Sequence, residues 1–264
     1  MQKFDNRAIA LYVISFIFLS LANTIPFLAF LSFLFLAPII ALRQQFIEGQ
    51  LKKKLRYIAV IPVITFISYL ISLLIMGQDL DIFSLLIYSI AIVIPFVILE
   101  VTEHYAPNKW GALMLVVYWV GVEYLCLKIA PGTSEFFLSN LLPDSWMGWN
   151  EKTGYLGGTT FVVLGNVLFY YSLLRSDNLL IFRIRWISLA ITLLIIATII
   201  WYGYSFESSS YITKLDMLSA YQTSSMVVNS TSYTENGEFI GRLALWVTVM
   251  VVLYSVVKGK LNRK

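Results

Sequence analysis

Reactive side chains are scarce in this chain. Its 264 residues include one cysteine, Cys126, and one histidine, His104. A single cysteine excludes an internal disulfide framework and a cysteine-rich metal site, and a single histidine excludes any site that needs two. Charge is scarce as well: 13% of residues are Asp, Glu, Lys or Arg, against about 25% in soluble domains. That shortage excludes an ordinary soluble enzyme, a disordered chain and a nucleic-acid binder. What is present instead is 59% hydrophobic and 16% aromatic residues, with a mean hydropathy of +0.78. This is the composition of an all-α integral membrane protein, and no metal or cofactor is expected.

A spanning helix needs about 20 apolar residues to cross the hydrocarbon core. Eight runs approach that length: Ala8–Leu21, Phe27–Leu42, Tyr57–Met76, Ile82–Leu99, Trp110–Ile129, Gly157–Leu174, Trp186–Tyr204 and Leu243–Val257. The first is short, and Asn23-Thr24-Ile25-Pro26 separates it narrowly from the second. The pair reads as a tight hairpin, or else the first run lies partly in the interface. Lys3 and Arg7 before an apolar run also fit a signal peptide over residues 1–24. No small-x-small cleavage site follows, however, and the next apolar run begins almost at once. The whole chain, 1–264, reads as one polytopic membrane domain.

The basic residues orient it. With the N-terminus in the cytoplasm, the inner segments hold 15 of the 19 lysines and arginines, and the outer ones keep only Lys128, Lys152, Lys214 and Arg242. Five acids fall inside, nine outside, and Glu123 lies within a helix. The net charge is then +10 inside and −5 outside. A lysine and arginine bias of this kind places loops in the cytoplasm, so both termini are expected inside, with an even number of crossings. The basic run Leu51-Lys52-Lys53-Lys54-Leu55-Arg56 reads as a topogenic loop in preference to an anionic-lipid or nucleic-acid site.

Two outer segments are long. Residues 130–156 are rich in turn formers and aromatics, with Trp146 and Trp149 read as packing or interfacial anchors. Residues 205–241 are polar, with a possible short surface helix at Ile212–Tyr221. They also hold an Asn229-Ser230-Thr231 sequon, which nothing else in the sequence supports.

Glu123 is the acid set deepest in an apolar run, about 9 Å below the outer end of its helix at 1.5 Å per residue. Such residues usually face a bundle interior or a wet cavity. Two readings stand: a site residue opening toward the outer leaflet, or a structural hydrogen bond to a neighbouring helix through Tyr118 or Asn166. Trp119, four residues earlier, shares its face. Asn166, in a stretch rich in glycine and threonine, reads as a packing residue that bonds across helices. Cys126 reads as an inert core thiol, having no thiolate-stabilising neighbour.

The segment Tyr118-Trp119-Val120-Gly121-Val122-Glu123-Tyr124-Leu125 resembles the "W-x-x-x-E-[YF]-L" helix of bacterial apolipoprotein N-acyltransferases. Leu138-Ser139-Asn140, the run Thr153-Gly154-Tyr155-Leu156-Gly157-Gly158-Thr159-Thr160 and Asn166 are similar to further parts of that family's membrane portion. So is Thr231–Arg242, with Glu238 in place of the family's aspartate; the Bacteroidetes versions are the most alike. The resemblance implies an eight-helix scaffold in the bacterial inner membrane. It marks Trp119, Glu123, Tyr124, Asn140 and Asn166 as candidates for contacting lipid or a partner. The family's nitrilase-like domain, with its Glu-Lys-Cys chemistry, stands where this chain has only residues 205–241, a stretch without cysteine. No residue is therefore identified as catalytic.

Three functions follow from these readings. The first is a non-catalytic membrane protein that binds lipid, lipoprotein or a protein complex at its outer face. The second is the membrane subunit of a split acyltransferase whose nitrilase-like subunit is a separate chain. The third is a transporter or enzyme that uses Glu123 as an acid–base group. The expected partners are membrane lipid, a lipoprotein or a separate subunit on the outer face, and no nucleic acid.

Overall fold

Each apolar run has to satisfy its own backbone where no water is available, and a helix does this within one segment. A computed structural model describes residues 6–46, 51–77, 81–107, 111–148, 153–174, 184–205 and 239–261, and every regular element among them is helical. In order these are α1 (Asn6–Thr24), a 3₁₀ segment (Pro26–Phe33), α2 (Ala37–Phe46), α3 (Leu51–Met76), α4 (Ile82–Ala91), α5 (Val93–Tyr105) and α6 (Gly111–Ile129). Three 3₁₀ turns follow, Pro131–Phe136, Leu138–Leu141 and Asp144–Trp146. Next come α7 (Leu156–Phe169), running into a π-helical turn at Tyr170–Leu174, then α8 (Trp186–Ser205) and α9 (Phe239–Leu261).

Six of these stretches are long and apolar enough to cross a membrane: Pro26–Arg43, Ile82–Tyr105, Gly111–Ile129, Leu156–Leu174, Trp186–Tyr204 and Phe239–Leu261. The other two apolar runs lie on shorter apolar helices, Ala8–Thr24 and Ile61–Met76. The basic run at 51–56 is not a loop. It forms the opening turns of α3, since leucine, lysine and arginine are good helix formers. The candidate surface helix at 212–221, the sequon, Trp149 and residues 231–238 of the last motif lie outside the described residues.

Helix α6 is the centre of the bundle. It packs against α5, α7 and α9, against α4 and against the 131–136 turn. Helices α1, α2 and α3 form a neighbouring group, joined to the rest through the 26–33 segment, α4 and α5. Helix α8 is peripheral, held by the 144–146 turn, by α7 and by the π turn. Its exposed side chains Trp186, Ile187, Leu194 and Trp201 are apolar, as a lipid-facing helix requires. The two tryptophans lie near its opposite ends, where indoles favour the two membrane interfaces.

Proline sets the breaks. In the span Ile82–Tyr105, Pro95 lies just past the single residue, Ile92, that separates α4 from α5. A proline ring clashes with the carbonyl four residues back, which here belongs to Ala91. In the span Pro26–Arg43 the break falls at Leu34–Leu36, ahead of Pro38. In an unbroken helix the Leu36 N–H would bond to the Ser32 carbonyl. The Asn166 side chain fills that gap: its Oδ1 accepts from Leu36 N at 2.7 Å and its Nδ2 donates to Ser32 O at 2.6 Å. A second donation, to Val162 O at 2.8 Å, fixes the amide against its own helix. Gly165 makes the approach possible, because a Cβ there would come within 2.6 Å of the Phe33 ring.

The helix start at Ile82 is capped by Asp81, whose carboxylate accepts from Ser84 N at 3.1 Å. Hydrogen bonds from Ser84, side chain and backbone, hold Asp81 below the ordinary carboxylate range. A depressed native pKa means that the cap contributes fully above the unfolded value near 3.8 and fades as pH falls through the lower native one. Protection of the Ser84 amide, relative to its intrinsic exchange rate at each pH, should fall as pH drops from about 5 to 2, and Asp81→Asn should remove that dependence. Asn166→Ala should lower the thermal unfolding transition in detergent, since an unpaired buried group costs about 1–3 kcal/mol and two are exposed. Thr160→Ala, which removes only a bond to its own helix at Leu156 O, should leave that transition nearly unchanged.

Candidate functional site

The deep acid lies in a closed cage. Glu123 is 1% exposed and its carboxylate accepts four hydrogen bonds. Oε1 receives Tyr88 OH at 2.8 Å, Trp119 Nε1 at 3.1 Å and the Leu138 backbone N–H at 3.2 Å. Oε2 receives the Thr159 hydroxyl at 2.5 Å. The donors come from α4, from α6 itself, from the 138–141 turn and from α7, so one side chain joins four separate elements. Aromatic rings wall the cage: Tyr88 lies 5.7 Å from Phe137 and 6.2 Å from Tyr69, and Phe96 meets Trp119 edge-on at 5.8 Å.

Glu123 therefore does not open toward the outer leaflet, and its neighbouring-helix partners are Tyr88 and Thr159 rather than Tyr118 or Asn166. Tyr118 instead donates to Thr102 at 3.2 Å, on α5. The donor set is neutral throughout, and a carboxylate is an acceptor-only group with room for about four bonds. Oε1 takes three of these bonds and Oε2 one, and with 1% exposure the carboxylate is closed off from solvent.

The segment following α6 is folded inward. Thr133, Ser134, Phe137, Leu138 and Ser139 have no exposed surface, although residues 130–156 read as an outer loop. Buried backbone must be paired, and named side chains do this. Asn140 Nδ2 donates to Ser134 O at 2.9 Å and Glu135 O at 2.7 Å. Asn140 Oδ1 accepts from Tyr155 OH at 2.7 Å, and that hydroxyl also lies 3.0 Å from Ser134 O. Tyr69 OH caps Phe136 O at 2.8 Å. Gly158 lets the segment lie on α7, since a Cβ there would come within 2.9 Å of Ser139 Cβ.

Of the five candidates, Trp119, Glu123 and Asn166 are fully buried and Tyr124 is nearly so, while Asn140 is partly accessible. Tyr124 packs beside Gly241 at the start of α9 and carries the Lys128 ammonium 5.5 Å from its ring centroid. Trp119 and Glu123 meet directly; Asn140 and Asn166 belong to separate networks on either side of them. Cys126 is half-buried against the core. His104 is exposed, edge-on to Tyr105 at 4.9 Å. No cluster of potential metal ligands occurs among the described residues.

A second polar cluster was not apparent from the sequence. Arg43, at the end of α2, donates from Nε to Glu100 Oε1 at 2.6 Å and from Nη2 to Glu103 Oε2. Tyr57 OH reaches the same Glu100 oxygen at 2.6 Å, and Tyr12 OH binds the Tyr57 carbonyl at 3.1 Å. Arg43 and Glu100 are each 6% exposed, so the pair is buried within the bundle. The available signal was the spacing of Glu100 and Glu103, three apart on one helix face, with a lone arginine after an earlier span.

No protein-family model, curated protein or solved structure matches this chain. The fold and its six long apolar helices define the class: a multi-pass, all-α membrane protein.

The cage predicts a sharp difference between two substitutions. Glu123→Gln keeps an oxygen for three donors, and the Thr159 hydroxyl can turn to accept from the amide. Its unfolding transition should fall by less than about 1.5 kcal/mol. Glu123→Ala strands the Tyr88, Trp119 and Leu138 donors at about 1–3 kcal/mol each, a large part of a total stability of about 5–15 kcal/mol. Near-UV circular dichroism in detergent should show a cooperative transition for the first variant and none for the second.

Proposed function

We propose that this is a non-catalytic protein of the bacterial inner membrane. In this reading it crosses eight times with both termini in the cytoplasm and binds lipid, lipoprotein or a protein subunit at its outer face. The observation that carries the proposal is the enclosure of Glu123: the deepest acid near the outer end is 1% exposed and held by four neutral donors, out of contact with solvent or a substrate. This counts against a transporter or enzyme working through Glu123. Helix lengths support the crossing number. At 1.5 Å per residue, the apolar helices Ala8–Thr24 and Ile61–Met76 extend about 26 and 24 Å, close to the roughly 30 Å core.

The resemblance to apolipoprotein N-acyltransferases supports the scaffold. The quoted residues hold that scaffold together here: Trp119, Glu123 and Thr159 in the cage, Asn140 and Tyr155 under the inward-folded segment, Asn166 in the helix break. With those side chains engaged internally, binding falls to the outer surface around Asn140.

The test is mass spectrometry of lipoprotein N-termini from cells with and without the chain, together with identification of whatever copurifies with it in lipid discs. Unchanged acylation with a stoichiometric partner or retained lipid is the expected result. Loss of the N-acyl group on deletion would overturn the proposal and make the chain the membrane subunit of a split acyltransferase.

A further inference from the structure

At the opposite end of the bundle from Glu123, α5, α6 and α9 enclose a cleft of about 360 Å³ lined by both polar and apolar side chains. That volume lies within the roughly 300–1,000 Å³ of small-molecule sites. Most of its polar lining is already engaged internally. Thr102 donates to Leu99 O and accepts from Tyr118 OH, and Ser255 donates to Val251 O. Two charged groups remain. Glu103 gives Oε2 to Arg43, while its Oε1 lies directly over Gly111, in space that any Cβ there would take. Lys258 rests 5.8 Å from the centroid of the Tyr254 ring. Neither ion pair among the described residues includes it.

The cleft thus presents an acceptor and a donor of opposite charge, both on its lining and not paired with one another. The nearby cluster of Arg43 with Glu100 and Glu103 carries one negative charge in excess, which favours a cation on the Glu103 side. One wall is α9, whose side chains Leu253, Tyr254 and Val257 are exposed, so an apolar surface continues from the cleft toward lipid.

We propose that this cleft binds the headgroup of a glycerophospholipid carrying a primary ammonium. The ammonium sits on Glu103 Oε1, the phosphodiester on Lys258, and the acyl chains lie along α9. A primary ammonium suits the site better than a quaternary one because it brings N–H donors to an oxygen that receives none among the described residues. An anionic headgroup without an amine would satisfy Lys258 and leave Glu103 facing negative charge. The site is separate from the outer face and does not depend on the proposed function.

The experiment is native mass spectrometry of the delipidated full chain in detergent. It is offered matched-chain phosphatidylethanolamine, phosphatidylcholine or phosphatidylglycerol. One phosphatidylethanolamine should be retained, in preference to the other two. Lys258→Gln removes a charge-assisted bond of about 1.5–3 kcal/mol, so it should weaken retention by at least about tenfold. Met114→Trp, which fills the cleft, should abolish it. Glu123→Gln, far from the cleft along α6, should retain lipid as the wild type does. Equal retention of all three lipids, or unchanged retention in Lys258→Gln, would overturn the assignment. So would displacement of the lipid by free phosphoethanolamine, which would make the ligand a soluble headgroup. Lys258 is only half-buried and engages no carboxylate among the described residues, so its variant should fold even if Met114→Trp does not.

Discussion

One carboxylate with four donors organises this bundle. An acid inside a membrane is costly, on insertion scales about 2.5–3.5 kcal/mol near the centre, and it persists only if its surroundings return that cost. Glu123 receives hydrogen bonds from α4, α6, α7 and the turn after α6. It therefore determines where a tyrosine, an indole, a threonine and a backbone amide must all stand. The inward fold of residues 131–141 depends on it, because the Leu138 amide would otherwise be a buried orphan. The association of α6 with α7 depends on it too, through a polar contact that lipid cannot supply. In hydrocarbon, apolar side chains gain little by leaving lipid for each other, so polar contacts of this kind carry much of the specificity.

The sequence revealed the helices and the deep acid. Runs of apolar residues are long-range averages and survive ignorance of tertiary contacts. All eight fall on helices, six of full spanning length and two shorter. Glu123 stood out because it interrupts such a run. Its partners on other elements did not, since Tyr88 is one tyrosine among 16 and Leu138 contributes only a backbone N–H. Spacing along one helix says which residues share a face, not which helix stands opposite.

What the sequence left out has a common origin. Turn formers in residues 130–156 read as an outer loop, and they gave no sign that its backbone is enclosed by protein, as irregular backbone can be. Asn140, Tyr155, Tyr69 and Glu123 provide that enclosure. Arg43 and Glu100 each stand near the end of an apolar run, and they are buried against one another. In both cases the local signal was polar, and the compensating partner lay dozens of residues away, where pattern along the chain cannot reach.

The Asn166 patch carries a consequence for how the protein is made. The gap between Ser32 and Leu36 belongs to the second apolar segment, and the side chain that closes it is 130 residues further along. Synthesis at about 5–20 residues per second separates the two by roughly 6–26 s. During that interval the early span sits in the membrane with an open amide and an open carbonyl. It must be shielded by water at the interface, by lipid headgroups or by the insertion machinery until α7 arrives. The break at Pro38 thus couples the completion of an early segment to the insertion of a late one, so that a chain truncated before Asn166 is left with an unfinished helix near its own beginning.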